Sequence, residues 1–172
     1  PWRKIVGATN CLLKLKILSL GLMLAVIFSA PATADVRMPR IFSNDMVLQR
    51  DRSVAVWGWA DPGEDVTVAF AGQTISTKAD ADGNWRLKLQ AMSANKTGQT
   101  LTVKDESNTL DFTNVLVGEV WLCSGQSNMF FTMRQTEESE EATAKANHPQ
   151  IRFFKSLAAS TPEPQSDLLR EV

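Results

Sequence analysis

Between Val36 and about Val115, apolar side chains return at every second position in short runs broken by turn residues, a period that a strand can bury on one face and a helix cannot. Val54, Val56 and Gly58 fall on one side of such a run, and Ala55, Trp57 and Trp59 on the other. Asp61-Pro62-Gly63-Glu64 has Pro and Gly where a type II turn prefers them, and Val66, Val68 and Phe70 alternate after it. Asp82-Gly83 marks a second tight turn, followed by Trp85, Leu87 and Leu89 alternating with Arg86, Lys88 and Gln90. Leu101 with Val103, and Thr109 to Phe112, supply further strands. About seven short strands in some eighty residues predict a small all-β, immunoglobulin-like sandwich over residues 35–115. No internal repeat of repeat-protein length is present.

The pattern changes at Val115. Leu116 to Cys123 is nearly all apolar, as expected of a strand buried on both faces of a parallel sheet. Small polar residues follow, Ser124-Gly125-Gln126-Ser127-Asn128, and then a helical amphipathic pattern from about Met129 to Ala146. His148-Pro149 ends the helix, Ile151, Phe153 and Phe154 start a second strand, and Ser160 to Asp167 reads as a loop. Strand, glycine turn and helix open an α/β unit, so residues 116–172 are expected to be the incomplete start of an α/β domain. From Pro1 and Val172 as its ends, the sequence is expected to be truncated at both.

The charges divide as sharply as the pattern. Four of the 18 basic residues, Arg3, Lys4, Lys14 and Lys16, and none of the 19 acids lie in residues 1–34, so the rest carries 14 basic against 19 acidic side chains. Twelve uncharged, mostly apolar residues, Ile17 to Phe28, precede Ala32-Thr33-Ala34, which together read as a cleaved signal peptide over residues 1–34 and imply export to the periplasm or outside the cell. That run falls short of the roughly twenty residues of a bilayer span, so no permanent membrane span is expected. Asp35, not Cys, directly follows the cleavage site, so nothing suggests a lipoprotein. The acidic remainder has no basic cluster, which argues against nucleic acid as a partner. One His and two Cys exclude a four-ligand zinc finger, and neither a metal site nor a cofactor is expected. Cleavage leaves Cys123 alone, read as a small buried hydrophobe.

Ser127 is the candidate for chemistry. It follows Gly125 at the predicted change from strand to helix, where open α/β folds place their ligands and where free N–H groups can stabilise an oxyanion. Gly125 lets a carbonyl approach the backbone closely. The plain alternative is that Ser127 or Asn128 merely caps the helix.

The run Gly118-Glu119-Val120-Trp121-Leu122-Cys123-Ser124-Gly125-Gln126-Ser127-Asn128-Met129 resembles the first block of the SGNH hydrolase superfamily, and specifically of the sialate O-acetylesterase family of carbohydrate esterases. Ile41-Phe42-Ser43-Asn44-Asp45-Met46-Val47-Leu48-Gln49-Arg50, Val56-Trp57-Gly58 and Asp82-Gly83-Asn84-Trp85 resemble the β-domain that precedes that block, in the same order. The resemblance implies a flavodoxin-like α/β catalytic domain, Ser127 as nucleophile and its own N–H as an oxyanion donor. Gln126 stands where the commoner version has Asp, and Gln126 and Asn128 are turn-bracing or substrate-edge groups. The family's Asp-x-x-His block and its later oxyanion donors are absent here, so this chain alone is expected to be inactive. The implied substrate is an acetylated sugar or glycan, sialic acid or a related carbohydrate. An acetyl xylan esterase of the same superfamily is one alternative, and a non-catalytic carbohydrate-binding sandwich is another.

Other candidates are read structurally. His148, at the far end of the predicted helix, is about 27 Å from Ser127 by helical rise and belongs to a surface loop rather than a triad. Asp80-Ala81-Asp82-Gly83-Asn84 lacks the Glu that a calcium loop needs at its twelfth position, Ala91 here, and is read as a hairpin turn. Trp57, Trp59 and Trp85 are assigned to core packing rather than to a sugar platform, and Glu137, Glu138, Glu140 and Glu141 to a solvated helix face with a Glu141–Lys145 pair. Oligomeric state has no signature in the sequence.

Overall fold

The alternating segments become strands because each finds both a neighbour to pair with and a face to cover. The structure, a computed structural model, describes residues 35–156 and 161–168. The leader expected over residues 1–34 lies outside them. Seven strands follow in order, β1 Val47–Gln49, β2 Val54–Trp59, β3 Asp65–Phe70, β4 Gln73–Lys78, β5 Asn84–Leu89, β6 Asn95–Lys104 and β7 Thr109–Gly118. Five form a sheet in the order β1-β7-β6-β3-β4, and β2 and β5 form a second, two-stranded sheet. The first and last strands pair in parallel, Val47 opposite Leu116 and Gln49 opposite Gly118.

One apolar cluster joins the two sheets. Val66, Val68 and Phe70 of β3, Leu101 and Val103 of β6, and Val115 and Val117 of β7 meet Val56, Trp85, Leu87 and Leu89 of the other sheet. A side chain of this kind contributes about 1.5–3 kcal/mol when fully buried, and no single pairing rivals that sum. Glu64 N–H donates to the Asp61 carbonyl at 3.0 Å, and Gly63 has φ +81°, as the type II turn expected there requires.

The sequence reading misses two strands. β4, Gln-Thr-Ile-Ser-Thr-Lys, is a sheet edge whose side chains are mostly polar, so it carries little apolar alternation. It returns from β3 through Ala71 and Gly72, both at positive φ, the geometry of a two-residue hairpin. β1 is three residues long, and its partner β7 lies some seventy residues away in sequence. The turn at residues 80–83 is not a hairpin either, since β4 and β5 belong to different sheets. Asp80 Oδ1 there accepts the backbone N–H groups of Asp82 at 2.9 Å and Asn84 at 2.8 Å, which braces a corner between layers.

The tryptophans divide. Trp85 is 2% exposed and central to the core, whereas Trp57 is 37% exposed and lies on the outer side of β2. The reason is steric. A Cβ on Gly58 would stand 2.1 Å from the Arg37 carbonyl oxygen and 2.9 Å from Trp85 Cζ2, so the small face of β2, Val56 and Gly58, accommodates Trp85. Outside, Phe42 meets Trp57 edge-on at 4.9 Å, and the Arg37 guanidinium stands 5.7 Å from the Trp59 ring centre. Arg37 and Trp59 exchange backbone hydrogen bonds of 2.8 and 2.9 Å, which covers that edge of β2.

The expected α/β start differs most. Leu116 to Gly118 complete β7 of the sandwich, and no strand among the described residues pairs with residues 119–126. Val120, Trp121 and Leu122 are exposed, because a strand buried on both faces needs flanking strands and covering helices. The helix foreseen from Met129 to Ala146 is instead two 3₁₀ turns, Ser127–Phe130 and Met133–Gln135, and one helix, α1, Ser139–Lys145. Met129, Phe130 and Met133 stay exposed rather than joining the core, and a short helix without tertiary packing is marginal. Residues 151–154 form no strand. The described fold is therefore mostly β.

Candidate active site

The chain leaves the sandwich at Gly118 and is gripped as it does so. Gln49 Oε1 accepts the Val120 N–H at 2.9 Å, and Gln49 Nε2 donates to Glu119 Oε2 at 3.1 Å. Arg50 N–H donates to the Gly118 carbonyl at 2.9 Å, and its guanidinium lies 2.6 Å from Asp51 and 3.9 Å from Glu119. Gln49, Arg50, Asp51, Arg52, Glu119 and Val120 line a cleft of about 480 Å³. The sequence reading assigns Gln49 and Arg50 no role beyond membership of the block Ile41–Arg50, which was the available signal.

Gly125, Gln126, Ser127 and Asn128 come next, all exposed. Ser127 opens the 3₁₀ turn, with Gln126 as its N-cap residue and no side-chain capping bond. The capping alternative for Ser127 and Asn128 thus has no counterpart in the structure. Met129 N–H donates to the Gln126 carbonyl at 2.9 Å, and Phe131 N–H to that of Asn128 at 3.2 Å. Amide groups at the start of such a turn have no partner inside it, which leaves donors beside the Ser127 hydroxyl. Gly125 is needed for space: a Cβ there would meet Met129 Cγ at 2.8 Å. Among the described residues, no side-chain hydrogen bond involves Gln126, Ser127 or Asn128.

Cys123, expected to be buried, is exposed and unpaired, because the strand meant to bury it is not formed. His148 lies beyond α1, where its carbonyl accepts the Ile151 N–H at 2.9 Å. The single long helix from which its distance to Ser127 was reckoned is absent, and no hydrogen bond joins the two among the described residues. Glu141 does pair with Lys145 on α1, on an exposed face. Three further hydrogen bonds tie this region to the sandwich. Arg152 Nη1 donates to the carbonyls of Met46, at 3.2 Å, and Asn114, and Asp167 Oδ1 accepts the Arg40 N–H at 2.9 Å.

Asp105, in the β6–β7 turn, is the one buried charged residue among those described. Burial pushes its carboxyl up, but N–H groups of Asn108, Val36 and Ser107 and the Ser107 hydroxyl outweigh it and hold the carboxyl below its ordinary value. It serves the fold, since it ties Val36 to the turn at 2.7 Å. No cluster of three metal-ligating side chains occurs among the described residues. No described helix is long and apolar enough to cross a membrane.

No family model matches the chain. Its fold is similar to the crystal structure of a carbohydrate acetylesterase from Xanthomonas citri, with a TM-score of 0.71 and 37% identity over 78% of this chain and 31% of that one. That likeness sets the class: the fold is that of part of a carbohydrate acetylesterase. Sialate O-acetylesterase of Homo sapiens is 34% identical over 166 residues, 88% of this chain and 32% of the relative. Sialate O-acetylesterase of Mus musculus is 36% identical over 168 residues, 88% of this chain and 30% of the relative. Over most of its length the chain is similar to sialate O-acetylesterases, and it spans about a third of the length of the curated relatives it matches.

Proposed function

We propose that this chain is part of an exported esterase that removes O-acetyl groups from sialic acid or a related acetylated carbohydrate, with Ser127 as the nucleophile. One observation carries the reading: Ser127 begins a turn directly after Gly125 and Gln126, with its hydroxyl exposed and engaged by no other side chain among the described residues. The Ser127 oxygen attacks the acetyl carbonyl, and a base takes its proton as the carbonyl oxygen gains charge. Backbone N–H groups at the start of the turn receive that oxyanion. The sugar oxygen leaves with a proton, and water then releases acetate from the serine. Gly125 keeps the approach clear, and the Gln126 and Asn128 amides flank it. The base and its acidic partner belong to a block that this sequence does not contain, as do the remaining oxyanion donors.

The domain division belongs to the same proposal. Residues 1–34 are the export signal, and residues 35–118, which hold the whole of β7, an immunoglobulin-like sandwich. Residues from 119 begin an α/β catalytic domain whose sheet and helices form once the rest of it is present. The resemblance of Gly118–Met129 to the SGNH block and the identity to sialate O-acetylesterases support this division.

Ser127→Ala in the protein at its natural length is expected to lower acetyl-ester hydrolysis at least about a thousandfold, as loss of a nucleophile does. Acetate release from a 9-O-acetylated sialic acid measures it. Full turnover by a folded Ser127→Ala variant would place the nucleophile elsewhere.

A further inference from the structure

We infer that Gln49 is a positioning residue, whose side-chain amide fixes the point at which the sandwich passes the chain to the Ser127 loop. The inference rests on the proposed role of Ser127. The amide uses both ends on adjacent residues of the departing chain, accepting the Val120 N–H at 2.9 Å and donating to Glu119 Oε2 at 3.1 Å. Gln49 can do this because it closes β1, whose parallel pairing sets it opposite Gly118, the last residue of β7. Arg50 completes the grip, taking the Gly118 carbonyl through its N–H at 2.9 Å and standing 3.9 Å from Glu119. From Glu119 to Glu138 every residue is exposed, so packing does not fix where this stretch begins. Hydrogen bonds at its root do. Ser127 lies seven residues beyond Val120, so the direction set at this root is the one from which the strand leading to Ser127 starts when the proposed α/β domain forms.

The chemistry sets the test. Gln49→Leu removes acceptor and donor at similar size. Gln49→Glu keeps an acceptor for Val120 but sets a carboxylate against Glu119, and the exchanged pair Gln49→Glu with Glu119→Gln keeps that acceptor and restores the bond between residues 49 and 119 with its direction reversed. Hydrogen exchange at the Val120 amide reads the grip without reference to activity. Gln49→Leu is expected to speed it about tenfold, the scale of one net hydrogen bond, with the core amide of Val103 unchanged. At natural length, Gln49→Leu is expected to lower kcat about tenfold or more at nearly constant KM, since misplacement by an ångström can cost about a hundredfold. The exchanged pair is expected to recover kcat to within about twofold of the parent. A purely structural role would show neither the kcat–KM split nor that rescue. Unchanged Val120 exchange in Gln49→Leu, or faster exchange with unchanged kcat, would overturn the inference. Activity retained by Ser127→Ala would instead remove the nucleophile and leave the Val120 result to decide the grip.

Discussion

Residues 35–118 and residues 119–156 are both rich in large apolar side chains, yet only the first stretch buries them. Val66, Val68, Leu101 and Val103 are fully buried, whereas Leu122 is 95% exposed and Phe153 92%. Local pattern does not separate the two stretches, because both show periods suited to regular structure. Partners do. β3 has β4 and β6 at its sides and the β2–β5 sheet across the core, while residues 119–126 have no strand beside them among those described. A strand or helix is thus a property of an assembled layer, and apolar periodicity only says that a segment is ready for one.

Substitutions can break or sharpen this contrast. Leu101→Ala is expected to cost about 3–4 kcal/mol in chemical denaturation, since the cavity opens in a core that cannot collapse around it. Gly58→Ala is expected to cost about 3 kcal/mol, because the added methyl meets the Arg37 carbonyl and the Trp85 ring together. Asp105→Asn is expected to cost about 2 kcal/mol by weakening hydrogen bonds made to a charged acceptor. The same change should flatten the acid limb of the stability curve. The folded-state value of Asp105 lies below 3.8, so its contribution is whole above that pH and is lost as the pH falls through the lowered value. Leu122→Ala is expected to shift stability within about 0.5 kcal/mol. It is the same substitution as Leu101→Ala, and a comparable loss at both sites would break the contrast.

Much of the sandwich was legible because its core strands alternate with large apolar residues, as Val66-Val68-Phe70 and Trp85-Leu87-Leu89 do. β4 was not, since an edge strand of Gln, Thr and Ser owes its place to the hairpin before it rather than to burial. The faces of β2 were correctly separated, but the bulky side was given to the core. The small side faces inward because Trp85, distant in sequence, fills that space. At the candidate site, Gly125 to Asn128 marked a turn, and a turn is there. The length of the helix after it was illegible, because amphipathic spacing states what a helix could cover and not whether the cover exists. The part of Gln49 was hidden for a related reason: a parallel pairing between the first strand and the last leaves no local trace.

That pairing also sets how the sandwich meets force. β1 lies near the start of the described chain and β7 ends where the chain departs, and the two run side by side in the same direction. Tension between these points draws the strands past one another along their length, so their hydrogen bonds, together with the Gln49 grip, are loaded in shear and share the strain rather than opening one by one like a zip.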